Sequence, residues 1–132
     1  MKTKSIKQSV FFNATPHDVF EALMDSKKHS KFTGSKAKIG RKAGENFSAY
    51  DGSLNGKNLA VIPDKKIVQE WRCEEDTWPE GHYSKATFSL KAEKNGTKLN
   101  FIQTGVPEAA VKSISQGWVD YYWNPMAVML EK

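Results

Sequence analysis

The C-terminal stretch Pro107–Met129, PEAAVKSISQGWVDYYWNPMAVM, decides the fold. Its apolar residues recur at steps of three and four, which is the period of an amphipathic helix. They are Val111, Ile114, Trp118, Tyr121 or Tyr122, Pro125 or Met126, and Met129. Pro107 can open this helix, and Pro125 should kink or weaken it near Tyr121, because proline lacks an N–H and crowds the carbonyl four residues back. A helix of about 20 residues spans about 30 Å, so it must lie along a broad apolar surface.

The only broad element that the remaining sequence predicts is an antiparallel sheet. Apolar and polar residues alternate over Ile6–Asn13, Ile67–Cys73 and Ala86–Ala92, which is the period of a strand. Asn95-Gly96 separates two alternating runs and predicts a hairpin. Further turn signals punctuate the segment between residues 51 and 64. We therefore expect consecutive antiparallel strands ahead of the helix.

Two short helices are predicted after the first strand. Thr15 is a suitable N-cap and Pro16 suits the first helical position, so one helix should run to about Asp25. A second should cover Lys27–Phe32 and stop at Gly34. The sequence thus predicts an α+β fold, with a curved antiparallel sheet of about six strands wrapped around a long C-terminal helix. We expect one domain over residues 1–132.

Composition excludes several classes of protein. The chain has 132 residues, of which 39% are hydrophobic and 11% aromatic, so it can build a core and is not expected to be disordered. No apolar run reaches the roughly 20 residues of a membrane span, and the N-terminal segment lacks the apolar stretch of a secretory signal. The single cysteine, Cys73, can form neither an internal disulfide nor a zinc site alone. We expect a soluble cytoplasmic protein without metal or cofactor.

The net charge of +5 is concentrated in one segment. Between Ser26 and Gly44 there are seven cations and no acidic residue, a stretch that we call the basic segment. Its cations are Lys27, Lys28, Lys31, Lys36, Lys38, Arg41 and Lys42. The segment is either a solvated face or a contact surface for an acidic partner, protein or nucleic acid. Nucleic acid is disfavoured because Phe32 is the only aromatic residue available there for stacking on bases.

The sequence carries no catalytic motif. His17, His29 and His82 share no metal-ligand spacing, and no glycine-rich phosphate loop is present. His82 is expected to satisfy a hydrogen bond. Cys73 continues the face of Trp71, which favours an inert buried thiol. We therefore expect a protein that is not an enzyme.

The segment Trp78-Pro79-Glu80-Gly81 predicts a tight loop that carries an aromatic ring. Trp78 either folds back to cover one end of the sheet or stands out as an anchor for a protein partner, because tryptophan and arginine dominate binding hot spots.

Several motifs together carry a family resemblance. They are Asp51-Gly52 with Gly56 before Leu59, Ile67–Arg72, Trp78–Tyr83, Gly105-Val106-Pro107, and Gln116-Gly117-Trp118 running to Tyr121-Tyr122-Trp123. With these motifs the chain resembles the C-terminal domain of the activator of heat-shock-protein-90 ATPase and its stand-alone homologues. That family has the helix-grip fold of the START and birch-pollen-allergen-like (SRPBCC) superfamily. Its eukaryotic members have an additional N-terminal domain, for which we expect no room in this chain.

The resemblance implies a non-enzymatic protein that binds the heat-shock-protein-90 chaperone and stimulates its ATPase. The basic segment and Trp78 would then make the contact. Related helix-grip proteins include cyclases, so a cyclase- or hydrolase-like activity stays open.

An alternative function is to bind or carry a small hydrophobic ligand between sheet and helix, where helix-grip folds often leave a cavity. The expected lining residues are Phe47, Trp71, Phe88, Phe101, Ile114, Trp118 and Tyr122. The same aromatic side chains could instead simply fill the space between the helix and the sheet.

Overall fold

A computed structural model describes residues 1–131. The strands are β1 (Thr3–Phe12), β2 (Lys38–Ile39), β3 (Asn46–Ala49), β4 (Leu54–Ile62), β5 (Lys66–Cys73), β6 (Ser84–Glu93) and β7 (Gly96–Pro107). The helices are α1 (Pro16–Met24), α2 (Ser26–Thr33), α3 (Val111–Trp118) and α4 (Asn124–Leu130), with a π-helical turn, Val119–Trp123, between the last two. Two short 3₁₀ turns, Tyr50–Gly52 and Glu108–Ala110, complete the description. Within these residues, no helix has the length and apolar character that a membrane crossing requires.

The strands of the described chain form one antiparallel sheet in the order β1-β7-β6-β5-β4-β3-β2. The last strand, β7, pairs with the first strand, β1, so β1 and β2 are the edges of the sheet. The sheet is curved and the C-terminal helix lies against it, which confirms the predicted α+β helix-grip fold. The structure has seven strands where the sequence predicted about six, because the two-residue strand β2 lies inside the basic segment.

The two short helices have the predicted positions and ends. Thr15 caps α1 by accepting a hydrogen bond from the Asp18 N–H, and Pro16 occupies the first turn. Asp25 caps α2 in the same way, accepting from the Lys28 N–H. Gly34 ends α2 with φ 71°, a left-handed conformation that glycine adopts without steric penalty. These caps satisfy backbone groups that the ends of a helix leave free.

The hairpin predicted at Asn95-Gly96 is present, but its turn is centred one residue earlier. Glu93 pairs with Gly96, so Lys94 and Asn95 form the turn, and Lys94 adopts the positive φ of 51°. Gly96 is required for a different reason. A Cβ there would lie 2.2 Å from the Phe12 carbonyl oxygen on the neighbouring β1, so only glycine fits without a shift.

The C-terminal helix, residues 111–130, is interrupted where Pro125 predicted a disturbance. The π-helical turn Val119–Trp123 widens the helix directly before Pro125. Such a turn relieves the clash of the proline ring with the preceding turn. It also turns both Tyr122 and Trp123 inward, and both are buried.

Trp118 lies at the centre of the contact between helix and sheet. Its ring centroid is 4.4 Å from that of Phe101 and 5.7 Å from that of Phe88. Its indole N–H donates to Oε1 of the fully buried Gln103 at 2.8 Å. Gln103 in turn donates to the Ser84 hydroxyl, and that hydroxyl donates to the Trp71 carbonyl. A chain of buried hydrogen bonds therefore fixes the position of the helix against β5, β6 and β7.

Candidate functional site

A groove of about 440 Å³ opens beside Trp118, between α3 and the ends of β4 and β5. The first turns of the C-terminal helix form one wall, and the turn between β3 and β4 forms the other. Its lining residues are Tyr50, Ser53, Leu54, Trp71, Cys73, Glu75, Ser113, Ile114, Gly117, Trp118, Tyr121 and Tyr122. The volume falls within the range of small-molecule sites, which is about 300–1,000 Å³.

Five aromatic rings form a continuous arc around this groove. The ring centroids of Trp71 and Trp118 are 5.4 Å apart, and those of Trp118 and Tyr122 are 4.7 Å apart. Tyr122 is followed by Tyr50 at 6.4 Å, and Tyr50 by Tyr121 at 5.7 Å. Each ring supports the next, so the arc is held by packing and presents aromatic surface to the groove.

The residues predicted to line a ligand cavity are divided between three places. Four of them line the groove: Trp71, Ile114, Trp118 and Tyr122. Phe47 and Phe88 border an internal void of only about 10 Å³, so the interior beneath the helix is almost filled. Phe101 is buried against Trp118 and Phe88 and borders neither space. The expected central cavity is therefore reduced to an open groove at one end of the sheet.

Sequence reasoning missed several of the groove residues. Tyr50 lies in a turn with positive φ, and Tyr121 is 59% exposed, so neither follows a core pattern. Glu75 and Ser53 lie in loops, where periodicity carries no information. The alternation in β5 predicts Cys73 on the same face as Trp71, and Cys73 is half-buried there beside the Glu75 carboxylate. Burial, together with that carboxylate, raises the pKa of the Cys73 thiol to about 12, which makes it a poor nucleophile.

A buried histidine–tyrosine pair lies behind the groove. Nδ1 of His29 lies 3.0 Å from the Leu23 carbonyl oxygen, and Nε2 lies 2.9 Å from the Tyr122 hydroxyl. Because a carbonyl can only accept, Nδ1 donates and Nε2 accepts from Tyr122. Burial lowers the pKa of His29 to about 4, so the imidazole is neutral near pH 7. His29 therefore faces the core although lysines surround it in the sequence.

The other two histidines make separate contacts. His17 pairs with Asp64 on the surface at 3.0 Å, a partner that the sequence did not predict. Nε2 of His82 donates to the Gly105 carbonyl at 2.7 Å, as expected for a structural role. Among residues 1–131, no group of three or more His, Cys, Asp and Glu side chains has the arrangement of a metal site.

The basic segment forms an exposed surface along α2, β2 and the loop before β3. All seven of its cations are exposed, and one of them, Arg41, pairs with Glu21. No ion pair is found for the six lysines within residues 1–131. The segment is firmly held, because the hydroxyls of Ser26 and Ser30 accept from the N–H groups of Ile39 and Ala37.

Comparison with known proteins identifies the family. A family model described as "Activator of Hsp90 ATPase homolog 1-like protein" matches residues 13–131. The chain belongs to this family. The match covers every element from α1 to α4.

Curated relatives of the activator family agree. The "Activator of 90 kDa heat shock protein ATPase homolog" of Dictyostelium discoideum is 32% identical over 88% of this chain and 30% of its own length. The human "Activator of 90 kDa heat shock protein ATPase homolog 1" is 30% identical over 86% of this chain and 33% of its own length. The chain thus spans about a third of the length of these activators.

Solved structures show the same fold. An HSP90 activator from Plasmodium falciparum has a TM-score of 0.89 and 24% identity, with 96% of each chain covered. The "Aha1 dimer" from Colwellia psychrerythraea has a TM-score of 0.80 and 16% identity, covering 97% of this chain and 96% of the other.

Contacts of Arg72 fix the conformation of the Trp78 loop. The Arg72 guanidinium donates to the carbonyls of Trp78 and His82, both at 3.2 Å, and also to that of Pro79. These bonds curl the loop onto the end of the sheet, where Trp78 packs on Trp71 at 5.6 Å. Trp78 is only 3% exposed, so the prediction of a surface anchor at this residue is wrong. It covers the end of the sheet instead.

Proposed function

We propose that this chain binds a heat-shock-protein-90 chaperone in the cytoplasm and stimulates its ATPase. The basic segment would make the contact, and the chain would carry no catalytic activity of its own. Membership of the activator family supports this proposal, and the single observation that carries it is the exposed basic segment, with six lysines for which no ion pair is found within residues 1–131. Residues 1–132 would act as one domain.

Physical chemistry favours a protein partner with an acidic surface. Clustered like charges repel one another, so contact with a surface of the opposite charge gives them the largest gain in electrostatic energy. The lysines lie on a scaffold fixed by hydrogen bonds. Asn58, which is fully buried, holds the loop by donating to the carbonyls of Gly40 and Lys42. Binding therefore needs little ordering of the backbone that carries them.

Titration of the purified chain into the heat-shock-protein-90 of the same organism, with ATP turnover as the readout, tests this function. We expect stimulation that weakens as salt is raised from 50 to 300 mM, because ions screen exposed charges. Reversal of three cations, K27E/K28E/K31E, should lower the affinity at least tenfold. The control variant K66E/K85E/K91E changes net charge equally on the outer face of the sheet and should retain binding. Absence of stimulation, or equal loss in both variants, would contradict the proposal.

A second candidate is the binding of a small apolar ligand in the groove. The supporting observation is the groove of about 440 Å³ beside Trp118, with its largely apolar lining that includes five aromatic rings. A neutral fluorescent probe, N-phenyl-1-naphthylamine, tests it directly. Gly117→Leu should abolish probe binding because it fills the groove, whereas Gln116→Leu adds the same side chain to an exposed position outside the lining. Equal binding by the two variants would count against a ligand site.

A further inference from the structure

We propose that the groove selects an organic cation, meaning a substituted ammonium group carried on an apolar body. This inference rests on the second candidate function and names the chemical class of its ligand. Three features of the groove carry it: the arc of aromatic rings, the sign of the charge that lines the groove, and the hydrogen-bonding capacity left on its polar groups.

The arc brings five aromatic rings to one open groove, and Tyr121 is its most exposed member. A cation held over the face of Trp or Tyr within about 6 Å of the ring centroid is attracted by the negative potential of that face. The arc contributes two tryptophans and three tyrosines, and all five line the groove. Neighbouring centroids are no more than 6.4 Å apart, so a small ammonium group can lie near more than one ring. Aliphatic side chains alone would give no such preference for charge.

The charge that lines the groove is negative. Glu75 is the only formally charged side chain among the lining residues, and no Lys, Arg or His belongs to them. The nearest arginine along the chain, Arg72, is engaged by Glu74 and by the carbonyls of the Trp78 loop. The groove of this basic protein is therefore a local site for a positive ligand, and a fatty acid or phosphate would meet the Glu75 carboxylate without a compensating cation.

Hydroxyl groups that line the groove can accept hydrogen bonds from a ligand. The Tyr50 hydroxyl donates its proton to the Tyr121 carbonyl at 3.1 Å, and the Ser113 hydroxyl donates to the Ala110 carbonyl at 3.1 Å. The Tyr50 and Ser113 oxygens keep lone pairs but no free proton, so they can accept from an ammonium N–H. The Ser53 and Tyr121 hydroxyls, for which no hydrogen bond is found within residues 1–131, can accept from it as well.

Three probes with the same phenylpropyl body test the selection by isothermal titration calorimetry. They are protonated N,N-dimethyl-3-phenylpropylamine, its neutral isostere with carbon in place of nitrogen, and 4-phenylbutyrate. We expect the cation to bind at least tenfold more tightly than the isostere, and the anion more weakly than both. Equal affinities of cation and isostere would overturn cation selection while leaving the ligand function intact. Binding by none of the probes would overturn both.

Matched variants locate the effect. Glu75→Gln should reduce the cation's advantage at least fivefold, whereas Glu80→Gln removes a charge from the same loop outside the lining and should leave it unchanged. Tyr121→Leu should weaken cation binding, and Tyr121→Phe, which keeps the ring, should preserve it. Equal losses in Glu75→Gln and Glu80→Gln would mean that net charge, and not the groove, attracts the cation, which would overturn the inference.

Discussion

The Tyr50 hydroxyl donates a hydrogen bond of 3.1 Å to the carbonyl of Tyr121. Pro125, which lies four residues after Tyr121, cannot donate to this carbonyl. In a regular helix this oxygen would accept from the N–H of residue 125, which proline lacks. The turn between β3 and β4 thus supplies a donor from outside the helix. This hydrogen bond therefore joins the turn between β3 and β4 to the π-helical turn, and both residues line the groove.

Removal of this donor should have a measurable effect. Tyr50→Phe keeps the ring and its contacts with Tyr121 and Tyr122, and it deletes only the hydroxyl. We expect the free energy of unfolding in urea to fall by about 0.5–1.5 kcal/mol, the usual contribution of one hydrogen bond. Tyr83→Phe is the control, because the Tyr83 hydroxyl lies 3.5 Å from Asn55, at the limit of a hydrogen bond. Equal effects of the two variants would contradict the assigned role.

The bond between Trp118 and Gln103 should be worth more, because both groups are buried. Gln103→Leu leaves the indole N–H without a partner, which should lower the free energy of unfolding by about 1–3 kcal/mol. Trp118→Phe also removes packing, so a double-mutant cycle is needed to isolate the pair. We expect the double variant to be less destabilised than the sum of the single variants by at least about 1 kcal/mol. Additive losses would show that the two side chains do not interact.

Periodicity predicted the elements of this fold because each of them has one clear face. The alternation in β5 and β7 puts Trp71 and Phe101 each on a possible inner face, without deciding which face of β5 is inner, and both residues are buried. The same alternation places Gln103 on the inner face of β7, two residues after Phe101. That signal was available in the sequence, although nothing in the sequence identifies Trp118 as the hydrogen-bond partner.

The features that the sequence did not predict have physical causes of their own. The sequence does not show that His29 faces the core, because six of the eight residues of α2 are Ser, Lys or Thr and its buried face consists of His29 and Phe32 alone. The sequence allows two interpretations of Trp78, and the choice depends on Arg72, whose contacts with the loop carbonyls no local pattern reveals. The groove is formed by turns and helix ends from distant parts of the chain, which no short pattern describes.

The buried His29 makes stability depend on pH. Its pKa is about 4 in the folded state and about 6.5 when unfolded, so the unfolded chain binds more protons between these values. The contribution of neutral His29 to the free energy of unfolding is fully present above about pH 6.5 and is lost as the pH falls towards 4. The loss over this whole interval is on the order of 3 kcal/mol, because a pKa difference of one unit corresponds to about 1.4 kcal/mol.

Urea unfolding at several pH values measures this dependence. We expect the free energy of unfolding of the wild type to fall steadily between pH 6.5 and 5, above the range in which most carboxylates titrate. His29→Gln should be less stable at pH 7 and should lose most of the slope. His17→Gln, which removes an exposed histidine, should retain the slope. A wild-type curve that is flat over this range would show that His29 binds protons equally in the folded and unfolded states, which would contradict the lowered pKa.

Two glycines of the family motifs should respond in opposite ways to alanine. A Cβ at Gly56 would lie 1.8 Å from the Glu70 carbonyl oxygen, and a ring atom of Phe47 lies 2.9 Å away, so β4 and β5 would have to separate. We expect Gly56→Ala to lower the free energy of unfolding by at least about 2 kcal/mol, as in overpacked cores. At Gly117 the nearest atom lies 3.8 Å away, on the exposed Tyr121 ring, and the backbone is helical. Gly117→Ala should therefore stabilise the protein by about 0.5–1 kcal/mol, because alanine loses less backbone entropy in a helix.

The same two substitutions distinguish an effect on stability from an effect on ligand binding in the groove. The methyl group of Gly117→Ala enters the groove lining, so this variant should unfold at higher urea concentration while binding the neutral probe more weakly than the wild type. Gly56→Ala lies outside the lining and should show the reverse, with lower stability and, at urea concentrations where it remains folded, unchanged probe affinity. If Gly117→Ala destabilised the chain, the helix could not have the free surface at Gly117 that the groove requires, and the probe would have to bind elsewhere.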